Sequence, residues 1–155
     1  MYYLIYSSIS KKDLSKDELF AILERSRSKN KMMGISGFLL CINEDYHPEI
    51  INGKFIQVLE GDKKDVLKLY ESIKKDSRHK NVVNLAEGVL LKRMFDNWSM
   101  GYRDMDILRF KNRLDEFDLN ESDIVNAKGN QQDNVDSILE FIKSFYKVPE
   151  NFIRS

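Results

Sequence analysis

The stretch from Lys54 to Ile73, KFIQVLEGDKKDVLKLYESI, carries the step on which the fold turns. Residues 54–61 are apolar and β-branched enough to form a strand, yet they hold a glutamine, Gln57, at their centre. Asp62 and Asp65 then supply an acidic helix start, and Val66, Leu69, Tyr70 and Ile73 recur at core spacing behind it. An amide carries both a donor and an acceptor, so burying Gln57 without partners costs roughly 1–3 kcal/mol. Something must satisfy it, and a bound ligand with a polar edge is one candidate.

The same step from strand to helix stands at the N-terminus. In YYLIYSS (2–8), Tyr2, Leu4 and Tyr6 share one face and Tyr3 and Ile5 the other. Ser15 and Glu18 follow at capping-box spacing, and Leu14 and Leu19 occupy the two positions of a hydrophobic staple. Leu19, Ile22, Leu23 and Ser26 then fall on one helical face. GISGFLLCI (34–42) reads as the strand before 54–61. It is joined to it by an acidic loop through Asp45, His47, Pro48 and Asn52 that is long for a hairpin.

After the loop DSRHKN come two more strand candidates, residues 82–95, with a bend or bulge expected around Gly88, and residues 98–102. The order is β-α-β-β-α-β-β. Because crossovers are right-handed, this predicts an α+β, ferredoxin-like sheet with both helices on one face.

From residue 104 the periodicity changes to two helices, one with Ile107, Phe110, Leu114 and Phe117, the other with Val135, Ile138, Leu139, Ile142, Phe145 and Tyr146. The polar stretch NAKGNQQDN separates them. The expected organisation is a domain over residues 1–103 and a helical extension over 104–155. The extension is not independent, since its apolar stripes need the open face of the sheet or a second chain.

Composition narrows the function. Lys+Arg and Asp+Glu are both 25, so no net field gathers phosphate backbones or acidic lipid, and neither nucleic acid nor a membrane is the expected partner. No apolar run approaches the ~20 residues that span a bilayer. Cys41 is the single cysteine, and no charged-then-apolar leader is visible; both point to a reducing cytoplasm. His47 and His79 lie too far apart, without a second cysteine, for a zinc-type ligand set. The charged runs KKDLSKDE and KNRLDEFD read as solvated helix faces.

Five segments lie where this fold brings them together: LIYSS (4–8), SRSKNKMMGISG (26–37), KFIQVLEG (54–61), DSRH (76–79) and FDNWSM (95–100). In order and spacing they resemble the BLUF family, sensors of blue light using FAD, over roughly residues 2–102. The resemblance implies an FAD cofactor lying between the two helices, over the sheet. It assigns the photoactive tyrosine to Tyr6, the switching glutamine to Gln57, and the tryptophan and methionine pair of the last strand to Trp98 and Met100. It places Asn30 at the carbonyl edge of the ring, with Ser26 and Ile35 among the flavin contacts and the Lys29 stem covering the ring. The trio near the ribityl and phosphate portion becomes Asp76, Arg78 and His79. Two departures stand out: Ser36 where threonine is more usual, and an acidic insertion around 44–52 that should project from the sheet edge.

The resemblance further implies light-driven electron and proton transfer between Tyr6, Gln57 and flavin, which rearranges the glutamine's hydrogen bonds and turns over no substrate. The output would be altered assembly of a homo-oligomer or release of a downstream signalling protein. Since no cyclase, phosphodiesterase or DNA-binding segment follows, the chain looks like a short member of the family. Residue by residue, plainer roles stay open: Tyr6 as a strand tyrosine, Trp98 and Met100 as core, Gln57 as a satisfied sheet amide, Asn30 as a left-handed helix cap.

Two other function classes share the element order. A ligand- or nucleic-acid-binding module without photochemistry would stack bases on aromatics of the central strands, but the aromatics here lie elsewhere and no K/R-G-F/Y-type segment is present. A flavin-dependent or acylphosphatase-like enzyme needs an activated nucleophile, and Ser7, Ser8 and Cys41 have no histidine at readable spacing.

Overall fold

A computed structural model of the protein describes residues 1–10, 13–43, 50–51, 53–95, 100–117, 119 and 132–144, with the backbone alone at 50–51, 101–102 and 132–135. Among the described residues seven strands and four helices follow in chain order: β1 (Tyr2–Ser10), β2 (Leu14–Ser15), α1 (Lys16–Met32), β3 (Ser36–Asn43), β4 (Ile50–Ile51), β5 (Gly53–Gly61), α2 (Lys63–Lys74), β6 (His79–Val89), β7 (Gly101–Asp106), α3 (Ile107–Glu116) and α4 (Gln132–Lys143).

The main sheet runs β6-β1-β5-β3-β7. Its first four strands pair antiparallel, and β7 adds to the β3 edge in parallel. This is the expected ferredoxin-like topology extended by one strand. Side chains alternate across it, as a period of two requires. On one face Tyr2, Leu4, Tyr6, Leu39, Phe55 and Leu59 meet Leu19 and Leu23 of α1 and Val66 and Tyr70 of α2. On the other, Tyr3, Ile5, Phe38, Leu40, Ile56 and Val58 meet Phe110 and Leu114 of α3 and Ile138, Phe141 and Ile142 of α4. The C-terminal helices therefore cover the open face of their own sheet.

The N-terminal signals form as read. Ser15 accepts from the Glu18 amide at 3.1 Å while the Glu18 carboxylate takes the Ser15 amide at 3.0 Å. Leu14 and Leu19 are buried in one cluster. Asp62 caps α2 by accepting from the Lys64 amide at 3.0 Å.

Several boundaries differ from the sequence reading. β6 begins at His79, because the ladder to β1 continues to the Ser10↔His79 pair, and it ends at Val89 rather than running to residue 95. Its register shifts fall at Leu85, the extra residue between the Ile5↔Ala86 and Tyr6↔Asn84 pairs, and around Asn81, whose φ is 52°. Gly88 is not a bulge. It makes room for Tyr3, since a Cβ there would sit 3.0 Å from the Tyr3 ring. β7 covers Gly101–Asp106 and so runs beyond the expected end at residue 102, while residues 98 and 99 of that expectation lie outside the described residues. α4 begins at Gln132, inside the stretch read as a polar linker. The insertion after β3 does not simply project: Ile50 and Ile51 pair antiparallel with Ser15 and Leu14, tying it to the start of α1. Residues 44–49 and 52, with His47, lie outside the described residues, as do Trp98, Phe145 and Tyr146.

Candidate functional site

Between α1 and α2, above the sheet, lies a cavity of about 420 Å³. Its floor is one cross-strand row: Tyr6 of β1 is paired with Gln57 of β5, which is paired with Leu39 of β3. Directly opposed residues on one face have Cβ atoms about 5 Å apart. The sheet register thus brings a phenol and a carboxamide together across 51 residues of sequence. Tyr6 is 1% exposed and donates its hydroxyl hydrogen to Gln57 Oε1. The other end of the amide, Nε2, donates to Met100 Sδ at 3.1 Å. Burial pushes the Tyr6 phenol well above its ordinary pKa, reinforced by Tyr70, Cys41 and Asp76, so the hydroxyl keeps its proton. Tyr70 lies against it, ring centroids 5.6 Å apart.

The helices supply the walls. From α1 come Ile22 and Leu23 with Ser26, Lys29 and Asn30; from α2 come Leu69, Ser72 and Ile73. Asn30 is not the helix cap: α1 runs on to Met32, and Gly34, at φ 67°, takes the left-handed position. Asn30 is instead buried inside the last turns, its carbonyl accepting from Ile35 N at 2.8 Å.

At the far end, Asp76, Arg78 and His79 join the lining. Arg78 Nε donates to both Asp76 oxygens at 2.9 and 3.1 Å, and that guanidinium holds the carboxyl down at about 2. His79 Nδ1 lies 3.0 Å from Ser8 Oγ, and burial lowers its pKa against the opposing pull of Asp76.

Of the residues singled out in the sequence, Tyr6, Ser26, Lys29, Asn30, Gln57, Asp76, Arg78, His79 and Met100 line this cavity. Ile35 is buried beyond the end of α1 and does not line it. Trp98 lies outside the described residues. The sequence reading missed Leu39, Phe55, Ser72, Arg25 and Arg27. Arg27 is buried, with Nε donating to the Met100 carbonyl at 2.9 Å and Nη1 to Glu24 at 2.7 Å. Its signal was available: a cation four residues after Leu23 and three before Asn30 sits on the buried stripe of α1.

The lining fits a flat, polar-edged ring with a hydroxylated tail. Apolar side chains flank both faces of the slot, the amides of Asn30 and Gln57 offer donor and acceptor to an edge, and Ser26, Ser72 and Asp76 suit hydroxyls. Fold and cavity together define a small α+β domain built to hold an organic ligand between two helices and the sheet beneath them.

The BLUF family, sensors of blue-light using FAD, matches residues 1–101, and the chain belongs to it. Residues 1–101 thus form a sensor domain of the family that uses flavin to detect blue light. A photoactivated adenylate cyclase subunit beta of Euglena longa is 31% identical over 98 residues, 63% of this chain and 10% of that protein. The matched part spans about a tenth of the length of such curated relatives. Among solved structures, the photo-activated state of BlsA aligns with a TM-score of 0.67 at 25% identity, over 96% of each chain. Klebsiella pneumoniae BlrP1 with FMN and cyclic diGMP aligns with a TM-score of 0.59 at 30% identity, over 96% of this chain and 37% of that one. Among the described residues no helix is long and apolar enough to cross a membrane, and no His, Cys, Asp and Glu cluster has metal-site geometry.

Proposed function

We propose that the cavity holds FAD and that the chain Tyr6–Gln57–Met100 converts light into a change of hydrogen bonding. The observation that carries this reading is the amide in the floor of the cavity: Gln57 accepts from a phenol at one end and donates to a thioether at the other. Asn30, Ser26, Lys29, Asp76 and His79 would hold the cofactor, with Ile35 supporting from behind α1. Once bound, the flavin supplies blue-light absorption and a strongly oxidising excited state.

The residues do the rest. Oxidation makes a phenol a strong acid, and the Tyr6 proton already lies along the bond to Gln57 Oε1, so it passes to the amide and returns when the tyrosine is reduced. While the phenol is deprotonated the hydrogen bond that fixes the amide is lost and the side chain can rotate, so the proton that returns to Tyr6 meets Gln57 with its donor and acceptor ends exchanged and no atom gained or lost. Its bond to Met100 must then change, because a thioether accepts and cannot donate.

A rearranged hydrogen bond is worth ~1 kcal/mol, which shifts a two-state population about fivefold. That modest bias suits a system in which several subunits act together, or in which a loosely held signalling partner is released. Met100 immediately precedes β7, and β7 leads directly into α3, so the route outward is the helical extension over 104–155. The protein's setting in this reading is the cytoplasm. The test is to purify the protein, confirm bound flavin by its absorbance, and record spectra in darkness and after blue light. Tyr6→Phe should keep the flavin and lose the light-induced shift; a shift of normal size would refute the assignment.

A further inference from the structure

Three cationic side chains line the cavity, Arg25, Lys29 and Arg78, and they are not equivalent. The Arg78 fork is turned back on Asp76, with both carboxylate oxygens engaged. That pair carries no net charge, and His79, whose buried ring favours the neutral form, adds none at neutral pH. Such a set suits hydroxyls, which need donors and acceptors but no net field.

Arg25 and Lys29 differ. They stand four residues apart on α1, so they occupy successive turns of one helix face. Both are exposed while lining the cavity, which places them at its mouth. Among the described residues neither has a carboxylate within ion-pair distance; the acidic neighbour Glu24 is taken by Arg27. In a chain whose cations and anions balance at 25 each, the mouth carries two positive charges with no ion-pair partner among the described residues.

We infer that Arg25 and Lys29 form an anion-binding rim that takes the phosphate ester on the ribityl chain, so that the site prefers phosphorylated flavins to riboflavin. This rests on the flavin reading above and moves the phosphate contact from Arg78, whose fork is already occupied, to α1. FMN and FAD both present the recognised group, as a terminal ester and as an internal diphosphate. A guanidinium meets two phosphate oxygens at once, whereas Lys29 adds a point charge one turn further along.

The test is a set of binding titrations of the full chain, stripped of flavin, with riboflavin, FMN and FAD, followed by flavin fluorescence. Riboflavin reads the ring site alone, and the ratio of FMN to riboflavin affinity reads the rim. Each exposed cation is expected to contribute about twofold to fivefold to that ratio, and Arg25→Gln with Lys29→Met together to lower it about tenfold at low salt. Lys29→Met keeps the apolar stem. Raising the salt from about 50 mM to about 500 mM should shrink the wild-type ratio, since exposed charges are screened. FAD should follow FMN if the rim reads the first phosphate; a ratio lost for FMN but kept for FAD would overturn the ester contact. Lys68→Gln removes the same charge from α2, away from the cavity. If it lowers the ratio as far as Arg25→Gln does, or if the double variant leaves the ratio unchanged, the inference is wrong. A wild-type protein that binds none of the three removes the flavin reading and this inference with it.

Discussion

Glu60 is 0% exposed, lies on the face of the sheet away from the cavity, and holds the connection between β6 and β7. Its Oε1 accepts from Ser36 Oγ at 2.9 Å and from Phe95 N at 2.6 Å, and its Oε2 accepts from Met94 N at 2.8 Å. Arg93 closes the clamp, Nη1 donating to Ser36 Oγ at 2.8 Å and Nη2 to the Gly34 carbonyl at 2.5 Å. Replacing one carboxylate oxygen by NH2 in Glu60→Gln turns a donor toward a donor whichever way the amide is placed. One charge-assisted bond is lost and one buried N–H is left unsatisfied, so the cost is about 3 kcal/mol. Total stability for 155 residues is of order 8–20 kcal/mol, so the variant still folds. With a urea m-value of about 2 kcal/mol/M, the midpoint should fall by about 1–2 M. Because Phe95 stands five residues before Met100, the dark recovery of the flavin spectrum should also change. A urea midpoint that stays put for both Glu60→Gln and Glu60→Ala would refute the clamp.

Three further outcomes follow from the same geometry. Arg27→Met leaves the buried Met100 carbonyl without its donor, and a change of ~1 kcal/mol between the two states alters the dark-recovery rate about fivefold, measurable by absorbance after a light pulse; an unaltered rate speaks against Arg27 as an anchor. The Asp76 carboxyl is lowered from 3.8 to about 2 by Arg78, so on acidification the unfolded chain takes the proton first. Its stabilisation is complete above about pH 4 and is lost as the pH falls toward 2, so the gap in urea midpoint between wild type and Asp76→Asn should close across that window; a constant gap argues against the pair. Phe110→Ala opens a cavity between α3 and the sheet and should cost about 3–5 kcal/mol by calorimetry or urea, whereas a cap loosely attached to the sheet would give a small loss.

What could be read in the sequence is what local chemistry encodes. Ser15, Glu18 and Asp62 announce helix starts by themselves, and alternation assigns Tyr2, Leu4 and Tyr6 to one face without reference to the rest of the chain. The features that stayed hidden depend on partners distant in sequence. The pairing of Ile50–Ile51 with Leu14–Ser15 is a two-residue ladder between segments some 35 positions apart, with no local pattern to mark it. The bulge at Leu85 is set by how β6 follows β1, whereas Gly88 answers to the Tyr3 ring, so a glycine in a strand misled as to its purpose. Arg27 was passed over because an arginine in a charged helix looks solvated until β7 is laid beside it. The cavity set was legible for a different reason, since order and spacing of five segments carry more information than any one of them.

The sheet has two covered faces, and in the proposed cycle a signal that starts on one must reach the other. Gln57 and Met100 look into the cavity, while Phe95 and Met105 are buried under the C-terminal helices. Met100 and Met105 are five residues apart along the entry and body of β7, an odd number, so the strand's alternation sends them to opposite sides. Phe95, stacked on Phe38 at 5.8 Å, fixes the same connection from beneath. β7 is also an edge strand, hydrogen-bonded through β3 on one side, and so has fewer ladder bonds to break than any interior strand when it slides or tilts. A change of ~1 kcal/mol at the Gln57–Met100 bond is far too small to unpack the cluster around Phe110 and Phe141, but it lies at the low end of local rearrangement energies, where an edge strand belongs. In the proposed cycle the helical cap is therefore displaced as a packed body by the strand that enters it, and it stays folded in both states.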